Sequence, residues 1–456
     1  MSGQSVITRE IAVAEGVFAP GHLGELTQIV PFELVDTVLA ECGAVQQRLR
    51  KLPARVVVYL LLASALFEEC GYRAVWARLT AALGSLPIPK VTGTALWHAR
   101  CRLGARPLRA LFDLLRGPAS TIRTTGARWA GMLVVAIDGT YLDVPDDPKI
   151  RDRLGKGSNQ YTAASGYPQV LLTALVACGT RAVIDAVFGP RKPGEPVLGQ
   201  RLLRSLHQGM VVLLDRGFAT NAFLDAVADT KADFLARLSA ARKPPVLRRL
   251  ADGSFLSRIG TTEVRVIECE ITIATTAGRH TGVYRLATTL LDPHRHPAFE
   301  LVKLYHERWE VESAYFAIKK SMLGRRVLRS RTLPGIAQEI YALLTVYQAI
   351  RIAIADATGT TPGADPDRAS FSIALQAARD QIIQAAGIIA DTTIDLVGAI
   401  GRAILDHPMP ARRLRVSPRA VKRPLSRYAY KSLRVDRRTY KATISIDILS
   451  TGPISP

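Results

Sequence analysis

Two short apolar runs organise the middle of this chain, and each ends on an acid. Gly131-Met-Leu-Val-Val-Ala-Ile137 closes at Asp138-Gly139-Thr140, and Gly209-Met-Val-Val-Leu-Leu214 closes at Asp215-Arg216-Gly217-Phe218. Short Val- and Ile-rich runs bounded in this way are predicted as buried strands, each with a carboxylate at its C-terminal edge. Taken singly, Asp138-Gly139 also reads as a turn that opens a hairpin, and Asp215-Arg216 as a pair that only closes a strand. Between the two runs, Gln169–Cys178 and Ala182–Phe188 read as strands of an antiparallel meander opening a mixed sheet. Glu195, Val197, Leu198 and Leu202 begin a helix that leads to the second run, and Phe223, Leu224 and Val227 share one face of a helix after it.

The flanks have the helical period instead. Phe32–Leu49, Arg55–Cys70 and Tyr72–Leu83 carry apolar residues at helical spacing. Thr92 is placed to cap a helix running to Leu103, Gly104 stops it, and Pro107 suits the first turn of the next. Trp97, His98, Arg100 and Arg102 lie on that helix, which reads equally as part of a helix-turn-helix unit that grips DNA or as a hairpin packed on the core. Period-two alternation in Glu263–Ile273 and Val283–Leu290 predicts a β-rich insertion at about 240–290, because the 97 positions from Asp215 to Glu312 exceed what one helix and one strand need. A helical pattern returns from Ala364 to Leu405, broken by Gly387 and Gly401.

Charge narrows the partner. The net charge of +21 points to a polyanion. Arg402–Lys441 holds thirteen Lys or Arg against two Asp, a basic arm that either tracks phosphates or is a solvated tail, with Tyr428 and Tyr430 inside it. The five cysteines are scattered, with no Cys-x-x-Cys and no zinc-finger spacing, so they read as small apolar residues of a reducing compartment. The apolar run Val56–Phe67 is too short to cross a bilayer, and no signal peptide is expected at the N-terminus. The expected location is therefore the cytoplasm, at the nucleoid, with no membrane partner.

Chemistry concentrates in Tyr305-His-Glu-Arg308-Trp-Glu-Val-Glu312-Ser-Ala-Tyr-Phe-Ala-Ile-Lys319. Tyr305, Arg308, Glu312 and Lys319 fall at offsets of 0, 3, 7 and 14, which on a helix stack along one face. One acid between two cations on a single ridge is an uncommon surface pattern. It suits a site that holds a cation on the carboxylate and phosphate oxygens on Arg and Lys.

The spacing Tyr-x2-Arg-x3-Glu-x6-Lys resembles the signature of bacterial insertion-sequence transposases of the DDE type, in the insertion-sequence-four group, and Asp-Arg-Gly-Phe at 215–218 is typical of that group. The resemblance implies a ribonuclease-H-like mixed sheet, an α/β core with a β-rich insertion, flanked by helical N- and C-terminal regions. It implies Asp138, Asp215 and Glu312 as catalytic metal ligands, with Arg308, Lys319, Arg216 and, more loosely, Tyr305 on DNA phosphates. Two Mg²⁺ ions, with Mn²⁺ as a substitute, would activate the attacking oxygen and stabilise the leaving one. The implied reaction is cleavage at the ends of an insertion element and joining of the 3′-hydroxyls to target DNA. The implied partners are double-stranded DNA, as terminal inverted repeats and target, and a second copy in a homodimer on paired ends. Relatives that cut through DNA hairpins stack a base on a Trp of the insertion. Residues 240–300 here contain no Trp, a departure that speaks against the hairpin step; Tyr284 reads equally as a stacking face and as a strand residue in the insertion's own core.

These expectations divide the chain into residues 1–128, a helical domain binding the DNA end; 129–348, the catalytic domain; and 349–456, a helical region with a basic tail. Two other classes stay open from sequence. One is a catalytically silent DNA-binding derivative, and the other a ribonuclease-H-like nuclease that reads DNA structure.

Overall fold

The computed structural model describes residues 22–46, 48, 50–81, 88–157, 166–276, 278–361, 363–384, 397–410, 415–416 and 440–449. Most of the basic arm, with Tyr428 and Tyr430, lies outside the described residues.

The N-terminal part is helical: α1 (Phe32–Glu41), α2 (Ala54–Leu66), α3 (Tyr72–Leu79), α4 (Gly93–Leu103) and α5 (Arg106–Leu115). The first helix is shorter than its apolar pattern, because the chain turns at Cys42 and Gly43, where φ is +64°. Helix α2 is apolar all round and is correspondingly buried on every side. Thr92 caps α4 by accepting from the Ala95 amide, and Gly104 ends it, as its sequence predicts.

A short strand β1 (Arg128–Trp129) leads into β2 (Met132–Asp143) and helix α6 (Pro148–Leu154). Strands β3 (Gln169–Ala177) and β4 (Val183–Pro190) complete the meander, and α7 (Glu195–Gln200) crosses to β5 (Met210–Leu214). Helix α8 (Asn221–Asp229) then returns the chain to β6 (Asp233–Arg237). The pairing is antiparallel for β2–β3 and β3–β4, and parallel for β2–β5 and β5–β6. The order β4-β3-β2-β5-β6 is that of the ribonuclease-H-like sheet that the resemblance implies. Alternation sends Val134 and Ala136 of β2 to one face and Leu133, Val135 and Ile137 to the other, so each face has its own core.

The insertion holds β7 (Arg248–Arg249), β8 (Phe255–Ile259), β9 (Thr262–Thr275) and β10 (Gly278–Thr288). It continues the central sheet, because β10 pairs along its length with β9 and, through Leu286, Ala287 and Thr288, antiparallel with β6 on its other edge. Beyond it come α9 (Ala298–Tyr305), α10 (Trp309–Phe316), α11 (Leu333–Thr360), α12 (Phe371–Ile383) and α13 (Gly398–Asp406). By length and composition α11 is long and apolar enough to cross a membrane, yet most of it is buried inside the protein, packed on α2, α5, α12 and α13. It also runs through position 348, so the catalytic unit and the C-terminal region share one helix.

The C-terminal region is not wholly helical. Strand β11 (Arg415–Val416) pairs with β12 (Tyr440–Ile448), and β12 adds to the outer edge of β9. Ile444, Ile446 and Ile448 alternate with polar residues there, a strand signal overshadowed in the sequence by the basic composition around it.

Candidate active site

Strand β2 does not stop at Asp138. It continues to Asp143 because β3 pairs with it residue by residue as far as Asp143↔Gln169. Its parallel neighbour β5 ends at Leu214, opposite Ile137. Asp138 is therefore mid-strand on the β3 side and the first residue past the pairing on the β5 side. Asp215 follows Leu214 directly, so the two acids stand at the same level of adjacent strands. Asp138 accepts from the Gly139 amide at 2.8 Å and Asp215 from the Gly217 amide at 2.7 Å.

The helical ridge carrying the third acid winds in three ways. Helix α9 ends at Tyr305, His306–Arg308 form a 3₁₀ turn, α10 follows, and Ala317–Met322 form a π-helix. The predicted single helix is broken here, but its residues still face the strand ends. Arg308 donates to Asp138 Oδ2 at 3.4 Å and to Glu312 Oε1 at 3.3 Å, bridging strand and helix. The Lys319 ammonium reaches Thr140 Oγ1 at 3.1 Å, and Thr140 shares a face of β2 with Asp138. Lys319 lies within the π-helical segment, a winding common at functional sites.

Tyr305 lies beside the site with its hydroxyl donated to the Leu214 carbonyl at 3.1 Å, the last residue before Asp215. Burial raises the pKa of that phenol, so it stays a hydrogen-bond donor. Arg216 is exposed next to Asp215. Burial pushes the Asp138 carboxyl up to about 6; the Asp215 and Glu195 charges add to the rise, while the Gly139 amide and Arg308 oppose it.

Glu195 is the member that sequence reasoning missed. It opens α7 and its side chain lies over Gly139, and its carboxyl is raised first by burial and then by Asp215. The only sequence signal is an acid followed by Pro196 at the start of a short helix, which marks a helix start and nothing more.

Arg308 thus bridges Asp138 and Glu312 and feels the charge of Asp215, while Glu195 acts on Asp138 and Asp215 from over Gly139. Among the described residues no three acids stand close enough together to grip one ion as they are, because Arg308 sits between Asp138 and Glu312. The donor set fits a hard divalent cation nonetheless: it is all oxygen, and burial of Asp138 disfavours its bare charge, which a cation would offset. Such a cluster can neutralise a cation and leave Arg308 and Lys319 for phosphate oxygens.

Tyr284, the candidate stacking face, carries the Arg237 guanidinium 4.2 Å from its ring centroid. On the N-terminal helices, Arg100 is buried over the Tyr72 ring at 3.8 Å and near Glu339 of α11, so it belongs to the core. Trp97, His98 and Arg102 on the same helix remain exposed. Arg102 joins Arg48 and Arg50 in lining a basic cleft.

Comparison with known proteins finds two family descriptions along the chain. "Insertion element 4 transposase N-terminal" matches residues 20–113, and "Transposase DDE domain" matches residues 129–349. The chain is 27% identical over 400 residues to "Transposase InsG for insertion sequence element IS4" of Escherichia coli (strain K12), covering 86% of this chain and 90% of that one. It is 26% identical over 196 residues to "Putative transposase InsZ" of the same organism, covering 43% of this chain and 64% of that one. Among solved structures, the piggyBac transposase in a synaptic complex with hairpin DNA matches with a TM-score of 0.40 and 12% identity, over 85% of this chain and 84% of that one.

Proposed function

The chain belongs to the insertion-element-4 group of DDE transposases, metal-dependent enzymes acting on DNA, and from that premise we propose that Asp138, Asp215 and Glu312 are its metal ligands. The cation is Mg²⁺, in two ions, with Mn²⁺ able to replace it. Bound there, it would activate the attacking oxygen and stabilise the leaving oxygen of an in-line phosphoryl transfer. The reaction is strand cleavage at the ends of the chain's own element, followed by attack of the freed 3′-hydroxyls on target DNA.

The observation that carries this reading is Arg308 joined to both Asp138 and Glu312, with Asp215 one strand away. The chain's own residues divide the work. Arg308 holds two acids together and offers its remaining donors to a phosphate. Lys319, on Thr140, contributes a second positive group on the same side of β2. Arg216 is exposed where DNA approaching Asp215 would pass. Tyr305 holds the end of β5 and so fixes Asp215, which favours a packing role over a phosphate contact.

We also assign residues 1–128 to recognition of the element's end, 129–348 to catalysis and 349–456 to a region whose basic tail tracks phosphates. The enzyme works as a homodimer on paired terminal inverted repeats, at the bacterial nucleoid in the cytoplasm.

The test is incubation with labelled DNA carrying the element's terminal repeat, with and without Mg²⁺. A metal-dependent nick at the repeat boundary, lost in Glu312→Ala, supports the assignment. Binding without any cut makes the chain a silent derivative. Cutting of branched DNA regardless of the repeat makes it a structure-specific nuclease.

A further inference from the structure

We propose that Glu195 is a fourth carboxylate of the metal centre, reaching it from the opposite face of the sheet; this rests on the reading of Asp138, Asp215 and Glu312 given above. The first observation is steric. A Cβ built on Gly139 would stand 2.6 Å from Glu195 Cγ and 2.8 Å from its Oε1, closer than any side chain tolerates. The Glu195 side chain therefore rests on the backbone of the residue after Asp138, and any side chain at 139 would push it out of that position.

The second observation is the strand register. Alternation turns Asp138 towards Arg308 and α10, and turns position 139 towards α7. On the β5 side the pairing ends at Ile137↔Leu214, so no backbone walls off Asp138 and Gly139 there. Asp215 borders that gap. An acid lying over Gly139 thus stands at an opening of the sheet that Asp138 and Asp215 share.

The third observation is the absence of compensation. Among the described residues Glu195 has no hydrogen-bond donor and no cation, although it is half-buried in a chain with a net charge of +21. Withdrawing a carboxylate from water without a partner is costly, and a bound cation supplies one. Placement at the start of α7 does not account for the arrangement. That helix has only six residues, so its dipole is too weak to offset the withdrawal of a carboxylate from water.

The experiment measures Mn²⁺ binding by electron paramagnetic resonance on the full chain bound to uncut terminal-repeat DNA, alongside strand cleavage. Wild type is compared with Glu195→Gln, Gly139→Ala and Asp138→Ala, with thermal melts to confirm folding. Glu195→Gln keeps the shape of the side chain and is expected to weaken Mn²⁺ binding about tenfold or more, with cleavage recovering as Mn²⁺ is raised. Gly139→Ala keeps the acid but displaces it, and is expected to show the same defect. Unchanged Mn²⁺ affinity in Glu195→Gln overturns the proposal, whether cleavage persists or is lost. If Asp138→Ala still binds Mn²⁺ and cuts as wild type does, the assignment of the main ligands fails instead, and the two failures are told apart in one series.

Discussion

The Tyr315 hydroxyl donates to the main-chain carbonyl of Asp138 at 2.6 Å and accepts from the Ala174 amide at 3.0 Å. Asp138 and Ala174 are register partners on β2 and β3, so a helical side chain is spliced between two strands at one of the proposed metal ligands. Removing the hydroxyl in Tyr315→Phe leaves two buried backbone groups without their partner. The expected cost is about 1–3 kcal/mol in urea unfolding. Cleavage should fall about tenfold or more, because a small displacement of Asp138 is felt directly in the chemistry. A variant equal to wild type in both measurements would show that the strands close the gap themselves.

Part of this site is legible in the sequence because burial leaves a pattern. The runs ending at Asp138 and Asp215 are apolar on both faces, as strands between helical layers must be, and the spacing of Arg308, Glu312 and Lys319 survives as a ridge facing them. What is not legible depends on neighbours. The apolar run predicts a strand that closes at Asp138, and only pairing with β3 carries it on through Asp143. The 3₁₀ and π windings within residues 306–322 interrupt a ridge whose spacing predicts one continuous helix. Arg100 looks like a DNA-facing cation until Tyr72 and Glu339 are placed around it. Glu195 reads only as the start of a helix with Val197, Leu198 and Leu202, and the approach of α7 to Gly139 is what gives it further meaning.

The raised carboxyl of Asp138 predicts a pH dependence of stability. Its value of about 6 in the folded chain exceeds the ordinary 3.8, so the folded state holds this proton more tightly than the unfolded one. That contribution is fully present below about pH 4 and is lost as pH rises through about 6. Asp138→Asn does not titrate there. In the absence of metal its melting temperature should gain on wild type between pH 5 and pH 8. Added Mg²⁺ should then stabilise wild type at pH 8 and leave the variant unmoved. Parallel curves for the two proteins over that range would refute the shift.

Arg308 is the cation on which the metal-free site depends. In Arg308→Ala, Asp138 and Glu312 lose their shared partner, and Asp138 is mostly buried. Without metal at pH 8 the loss should be about 1–3 kcal/mol, below that of a fully buried pair because Glu312 is 35% exposed. Arg308→Lys keeps the charge but not the forked reach, so it should recover only part. Mg²⁺ should stabilise Arg308→Ala more than wild type, since it then supplies the missing positive charge. Urea melts with and without Mg²⁺ measure this, and equal Mg²⁺ gains in both proteins would argue that the ion and Arg308 do not share these acids.

Far from the acids, Arg48, Arg50 and Arg102 line one cleft of the N-terminal helices, with Trp97 half exposed on the same helix as Arg102. If this face holds the element's end, each arginine that meets a phosphate releases a counterion, and affinity falls with salt in proportion to the number of contacts. Replacing all three by Ala should make the slope of log affinity against log salt shallower by about 2–3 units. Trp97→Ala should weaken binding while leaving that slope unchanged, because it removes packing and no charge. Fluorescence anisotropy on terminal-repeat DNA across a salt series distinguishes the two effects. A triple variant with the wild-type slope would move the DNA-binding face away from α4, because in a chain this basic any other phosphate-tracking surface would keep the slope intact when these three are lost.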